Sequence, residues 1–243
     1  MFVFKCFPAI AFIFTIMKIV ILTDSYGGPR VHKNVTTVFP EQTYIELVKN
    51  ELEQKGNDVE GDYLSFRKIT ELPQLIKKYP DAELFILQAG VVDVYPRVIS
   101  YKMTASQTFF AKAVRRIIRS NRNFFIRYVR SFPWSGTSEL KTAIRNIVEL
   151  SHGKLVWINV APVNQLMEKD TPGANKTISK FNQVLSELTA GDGKSSTIDI
   201  HNLLSEEKDL EKYLHPVDSH LNIEGNIFYA KHILEHLKNK YRL

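Results

Sequence analysis

The chain has 243 residues, a formal net charge of +6, 44% hydrophobic and 24% charged residues. That composition excludes a disordered or collagen-like chain and fits one domain with a substantial core. A single cysteine, Cys6, excludes an internal disulfide, so folding needs no oxidising compartment.

Residues 1–16 read MFVFKCFPAIAFIFTI, with Lys5 as the only charge. Three readings compete. A signal peptide should end in a small-residue cleavage site, and none separates this stretch from the following KIVIL. A membrane anchor of about 20 apolar residues would consume the first strand. The third reading, which the sequence favours, makes Met17 the true start and residues 1–16 an apolar extension. It implies a cytoplasmic protein, whereas the other two imply an anchored or exported one.

Lys18 to Thr23 (KIVILT) is apolar on both faces, as a buried parallel strand should be. Tyr44, Leu47, Val48 and Leu52 have helical spacing, and Gly56 closes that helix. A second strand is expected over Val59 to Phe66, a helix over Ile69 to Tyr79 and a buried strand over Glu83 to Gln88. Ser106 to Arg130 reads as one long arginine-rich helix, broken by Phe132 to Gly136. A helix over Thr137 to Ser151, a strand over Leu155 to Val160 and a helix over Ala174 to Thr189 follow. Ser196 to Ile200 is a short strand, and Asn222 to Tyr241 the final helix. Strands alternating with helices predict an α/β fold, a parallel sheet covered on both faces. Functional residues in such folds gather beyond the carboxyl ends of the strands.

Three strand ends carry polar clusters. The first is Thr23-Asp24-Ser25-Tyr26-Gly27-Gly28-Pro29-Arg30, where Ser25 can project into the crevice. The second is Gly90-Val91-Val92-Asp93, followed by Pro96-Arg97. The third is His215-Pro216-Val217-Asp218-Ser219-His220-Leu221-Asn222-Ile223-Glu224-Gly225. A carboxylate two residues from a histidine in extended chain sets both on one side. Taken singly, each cluster is also an ordinary turn, with Asp93 a cap or a partner of Arg97 and Asp218 a helix cap. Together they supply a nucleophile, a base and an orienting carboxylate.

With these residues in place, the sequence resembles the SGNH/GDSL hydrolase superfamily from Lys18 to the C-terminus. The family's Gly-Asp-Ser block is matched by Thr23-Asp24-Ser25, its Gly-x-Asn-Asp block by Gly90-Val91-Val92-Asp93, and its Asp-x-x-His block by Asp218-Ser219-His220. The continuation to Asn222 and Gly225 also matches. The shorter Asp-x-His spacing is that of related polysaccharide O-acetylation proteins. The proline-arginine pairs at Arg30 and Arg97 look like a subgroup found among bacterial glycan-assembly proteins. The resemblance implies a flavodoxin-like three-layer α/β/α sandwich spanning residues 17–243. It also implies a catalytic triad of Ser25, Asp218 and His220, with Gly90 at the oxyanion. Two departures stand out. Val92 replaces an asparagine that donates to the oxyanion, a loss worth roughly 100- to 1,000-fold in turnover. The only glycine in the interval of the second block, Gly61, falls inside the expected second strand. Arg30 or Arg97 is therefore expected to face the crevice, with Asp24 and Asp93 beside it.

An insertion of about 98–135 sets this chain apart. Between Val94 and Ser138 there is no acidic residue, while Arg97, Lys102, Lys112, Arg115, Arg116, Arg119, Arg122, Arg127 and Arg130 supply +9. The plainer reading is an amphipathic helix with solvated arginines and its aromatic residues in the core. The functional reading is a surface for an anionic ligand or a membrane. Nucleic acid, which needs charge plus stacking, ranks below both. Neither a nucleotide-binding loop nor metal-ligand spacing occurs, so no cofactor and no metal is expected. The reading is an SGNH-type serine esterase or acyltransferase acting on an O-acylated carbohydrate. A non-catalytic glycan- or anion-binding protein of the same fold is the alternative.

Overall fold

The computed structural model describes residues 16–30, 37–64, 66–152, 154–190, 193–207, 209–215 and 218–243. Apart from Ile16, the apolar N-terminal extension lies outside them. No helix among the described residues is long and apolar enough to cross a membrane.

Five parallel strands form one sheet in the order β2-β1-β3-β4-β5. They are β1 (Lys18–Thr23), β2 (Asp58–Tyr63), β3 (Leu84–Gln88), β4 (Leu155–Ile158) and β5 (Ser196–Ile198). Every residue of β3 and β4 is buried, as central strands covered on both faces require. β2 is an edge strand with only Val59 buried. The strand order reverses between β1 and β3, which is where a doubly wound sheet opens its crevice.

Helices cover the sheet in two groups. α1 (Tyr44–Gln54) packs on the last helix, while α7 (Thr137–Leu150) packs on both α2 (Leu72–Ile76) and α9 (Ala174–Thr189). Three short helices, α3 (Val91–Val94), α8 (Gln165–Asp170) and α10 (Ile200–Ser205), were not expected. The last helix, α11, spans Ile223–Tyr241.

The basic stretch is not one helix. The helix expected from Ser106 to Arg130 divides into α5 (Phe109–Ser120) and α6 (Arg122–Tyr128), and a further unexpected helix, α4 (Tyr101–Ala105), precedes it. Asn121 leaves helical geometry at φ −131°, ψ 30°, and its N–H turns back to Ile118. The ends of the excursion are tied together by paired backbone bonds of 2.9 Å between Arg97 and Phe132. Its aromatics do not lie in the core as the amphipathic reading expects. Phe109, Phe110, Phe124 and Tyr128 are 88%, 69%, 56% and 72% exposed, because among the described residues no second layer covers these faces. Only Ala111 and Ile126 of α5 and α6 are buried.

α11 begins where the sequence put a polar motif, and the packing explains the residue types. Asn222 caps the helix, accepting from the Gly225 N–H at 2.9 Å and donating from Nδ2 to Lys212 O at 2.8 Å. Asn226 Oδ1 accepts the Tyr44 N–H at 2.8 Å, tying α11 to α1. Gly225 lies so close to the preceding loop that a Cβ would sit 2.1 Å from the Tyr213 carbonyl oxygen. Gly225→Ala should therefore cost about 1–3 kcal/mol by forcing the loop off the helix. Urea denaturation checks this, and a change below about 0.5 kcal/mol would show that the loop yields freely.

Candidate active site

The turn after β1 presents Ser25. Asp24 Oδ1 accepts the Tyr26 N–H at 3.1 Å, and the Gly27 N–H returns to Asp24 O at 3.2 Å. This side-chain-closed turn holds Ser25 half-buried at its tip, while Asp24 and Tyr26 are buried. The Tyr26 hydroxyl meets that of Tyr95 at 3.3 Å, joining the loops after β1 and β3.

The second loop closes on itself before α11. Leu214 and Leu221 pair as an antiparallel bridge, and the His215 N–H donates to His220 O at 2.6 Å. Ser219 adopts a left-handed φ of 56°, and its hydroxyl accepts the Asn164 N–H at 3.0 Å. This kink sets Asp218 and His220 side by side. Asp218 Oδ1 lies 3.2 Å from His220 Nδ1, and Arg30 donates to Asp218 Oδ2 at 2.8 Å. His215 Nδ1 is 3.6 Å from the same Oδ1, buried behind the pair. Burial alone would raise the Asp218 carboxyl. Hydrogen bonding and charge from His220, with the charge of Arg30, instead hold it well below the usual carboxylate range.

His220 stacks on Tyr26, the residue after Ser25, with ring centroids 5.3 Å apart and planes 24° apart. The two sequence-distant clusters thus meet at the mouth formed by the β1 loop. His220 Nε2 is buried and makes no hydrogen bond, so the bond to the Ser25 hydroxyl is not closed in this structure.

The remaining expected residues divide. Gly90, at φ 131°, opens α3, and a Cβ there would meet the Phe181 ring at 2.7 Å. Arg30 reaches the crevice through Asp218. Asp93 does not act as a free group beside it. It is fully buried, Oδ2 accepts the Ile69 N–H at 2.9 Å, and Oδ1 accepts the Ser135 hydroxyl. It ties β3's loop to both flanking segments and is a structural residue here. Arg97 neither pairs with Asp93 nor joins Arg30; its guanidinium lies over the Trp134 ring at 4.5 Å. Gly61 pairs with Ile21 inside β2, away from the strand end. Just beyond that strand end stands Phe66, in a left-handed conformation at φ 56°. Tyr26, Tyr95 and Ser219 carried no separate sequence signal, because their partners lie 55 or more residues away.

Burial pushes the Asp24 carboxyl up to about 7, against the pull of the Tyr26 and Val91 N–H groups and the Gln88 amide. An acid whose folded pKa is raised binds its proton more tightly when folded. Its contribution is full below about pH 4 and is lost as pH rises to about 7. Asp24→Asn keeps an acceptor for Tyr26 and cannot ionise. It should flatten the fall in stability between those limits by a few kcal/mol, on the order of the linkage effect. Unfolding free energies of both proteins at the two ends of that range check this, and an unchanged difference would contradict it.

No family model matches the chain, and no curated protein matches it in sequence. Solved structures do match. A lipase/acylhydrolase from Enterococcus faecalis superposes with a TM-score of 0.62 at 14% identity, covering 93% of this chain and 97% of that one. A carbohydrate acetylesterase from Sinorhizobium meliloti gives 0.57 at 14% identity over 92% and 99%. An acetyl xylan esterase from Geobacillus stearothermophilus gives 0.54 at 14% identity over 90% and 93%. At such identities the likeness speaks for the fold. With its five-stranded parallel sheet between helical layers, this chain has the fold of the SGNH/GDSL hydrolases.

Proposed function

We propose that the protein is a serine esterase acting on an O-acylated carbohydrate. The observation that carries this reading is the Asp218–His220 pair, stacked on the turn that presents Ser25. Ser25 Oγ attacks the ester carbonyl, and His220 Nε2 takes its proton and returns it to the departing sugar hydroxyl. Asp218 keeps the His220 Nδ1–H oriented and balances the imidazolium formed during attack. Arg30 fixes the second oxygen of Asp218, so the carboxylate cannot rotate away from the ring. Backbone N–H groups of Ser25 and Gly90 receive the oxyanion. Water or a second sugar hydroxyl then releases the acyl group, giving hydrolysis or transfer. The Ser25–His220 bond closes when substrate excludes water, since catalytic hydrogen bonds in free enzymes are commonly long. The carbohydrate assignment draws on two structural neighbours that are described as acetylesterases of carbohydrate and of xylan.

A second reading is a carbohydrate-binding protein without turnover. Val92, buried at the start of α3, offers no side-chain donor to an oxyanion. Release of acetate from a peracetylated sugar and from p-nitrophenyl acetate separates the two. Turnover dependent on Ser25 supports the esterase, and saturable sugar binding without release supports the alternative.

A further inference from the structure

The basic insertion forms a half-open cavity of about 160 Å³, lined by Arg97, Arg115, Arg119 and Arg122, with Thr104, Ile118 and Trp134 in its wall. No carboxylate among the described residues lines it. Arg97 Nε and Arg122 Nη2 are both buried and make no hydrogen bond. Among the described residues Arg122 is paired with Asp170, whose oxygen is 4.0 Å from Nη1 and whose side chain is 54% exposed. Arg115 is held rigidly, with Nη1 donating to Met103 O at 3.1 Å and Thr104 O at 2.7 Å. Burial and the neighbouring charge of Arg122 lower the Arg97 guanidinium to about 10.

Desolvating like charges together is costly unless an anion compensates them. Arg97 and Arg122, the two lining arginines with buried and unpartnered nitrogens, share only the distant, exposed Asp170, whereas a phosphoryl group offers several oxygens and up to two charges to such forks, with Arg119 at the rim to add a further donor. Outside the cavity, Lys112 and Arg116 join Arg115 and Arg119 around an open depression, which continues the positive track to the surface. We infer that this cavity is a binding site for a phosphoryl group. The cavity adjoins the serine site, since Arg97 also lies over the Tyr95 ring at 5.6 Å and Tyr95 meets Tyr26, but none of Ser25, Asp218 and His220 lines it, and the inference does not rest on turnover by Ser25. The same chemistry could come from a soluble phosphorylated compound or from a phospholipid headgroup. The exposed Phe109, Phe110 and Ile117 on α5 make the second source worth an arm of the test.

The full chain is titrated with pyrophosphate, and with vesicles of phosphatidylcholine alone or mixed with phosphatidylglycerol. Trp134, stacked on Arg97, reports through its emission, while Trp157 is sealed in the sheet. Thermal unfolding gives an independent readout. Pyrophosphate should give a saturable emission change and a raised Tm that matched sodium chloride does not. Arg97→Gln and Arg122→Gln should weaken it roughly ten-fold or more. Arg119→Gln, at the exposed rim, should weaken it even if the buried variants fail to fold. Arg145→Gln, on the surface of α7, should not. A response to phosphatidylglycerol vesicles alone, lost in Arg119→Gln, would also support the site and assign it to a lipid headgroup. No saturable response to any probe, or an equal response in every variant, would overturn it.

Discussion

Ser25→Ala should lower ester turnover by about a thousand-fold or more, because the covalent route is lost while binding and oxyanion contacts remain. Ser25 sits half-buried at the tip of a turn closed by its neighbours, Asp24 and Tyr26. The folded state should therefore change by less than about 0.5 kcal/mol. Steady-state kinetics with p-nitrophenyl acetate, beside a urea curve, check both halves. A variant that is stable and retains turnover would remove Ser25 from the mechanism.

The second large effect is expected at Asp218. Asn in its place keeps the size but loses the charge that fixes the His220 tautomer, a change worth about 10,000-fold in turnover in such triads. It also leaves the part-buried Arg30 without its carboxylate. The folded carboxyl lies below its unfolded value, so its contribution to stability is full above about pH 4 and is lost as pH falls further. Asp218→Asn should thus be less stable than the parent at neutral pH, and the gap should close in acid. Activity assays and unfolding curves at both pH values test this. A gap that widens in acid would mean that the pairing with Arg30 and His220 does not operate in solution.

The sheet was legible because its central strands are short apolar runs with no polar face. Leu84 to Gln88 is buried throughout, and an apolar run too short for a helix suits a parallel strand covered on both sides. The start of α11 was legible because Asn222 is a side-chain cap. The helices α3, α8 and α10 were not, since four to six residues cannot display a helical period. The basic stretch misled for a different reason. A period of 3.6 shows that a helix has an apolar face but not whether anything covers that face, and Phe109 and Phe110 face outward.

The site followed the same divide. Asp218 and His220 are two residues apart, so their pairing is local and was readable. Arg30 and Asp218 are 188 residues apart, and nothing in either segment announces the other. Asp93 shows the converse error: its strand-end position invited a substrate role, while its partners Ile69 and Ser135 lie 24 and 42 residues away. A carboxylate at a crevice cannot be told from one sealed behind it until those distant donors are placed.

Reaction with a fluorophosphonate asks whether Ser25 is an activated nucleophile. An activated serine hydroxyl displaces fluoride from phosphorus and keeps the phosphonyl group, which intact-mass and peptide spectra locate. One stoichiometric adduct on Ser25 is expected, formed slowly or not at all in Asp218→Asn and His220→Ala. No adduct on Ser25, or one that forms equally fast without His220, would contradict that role.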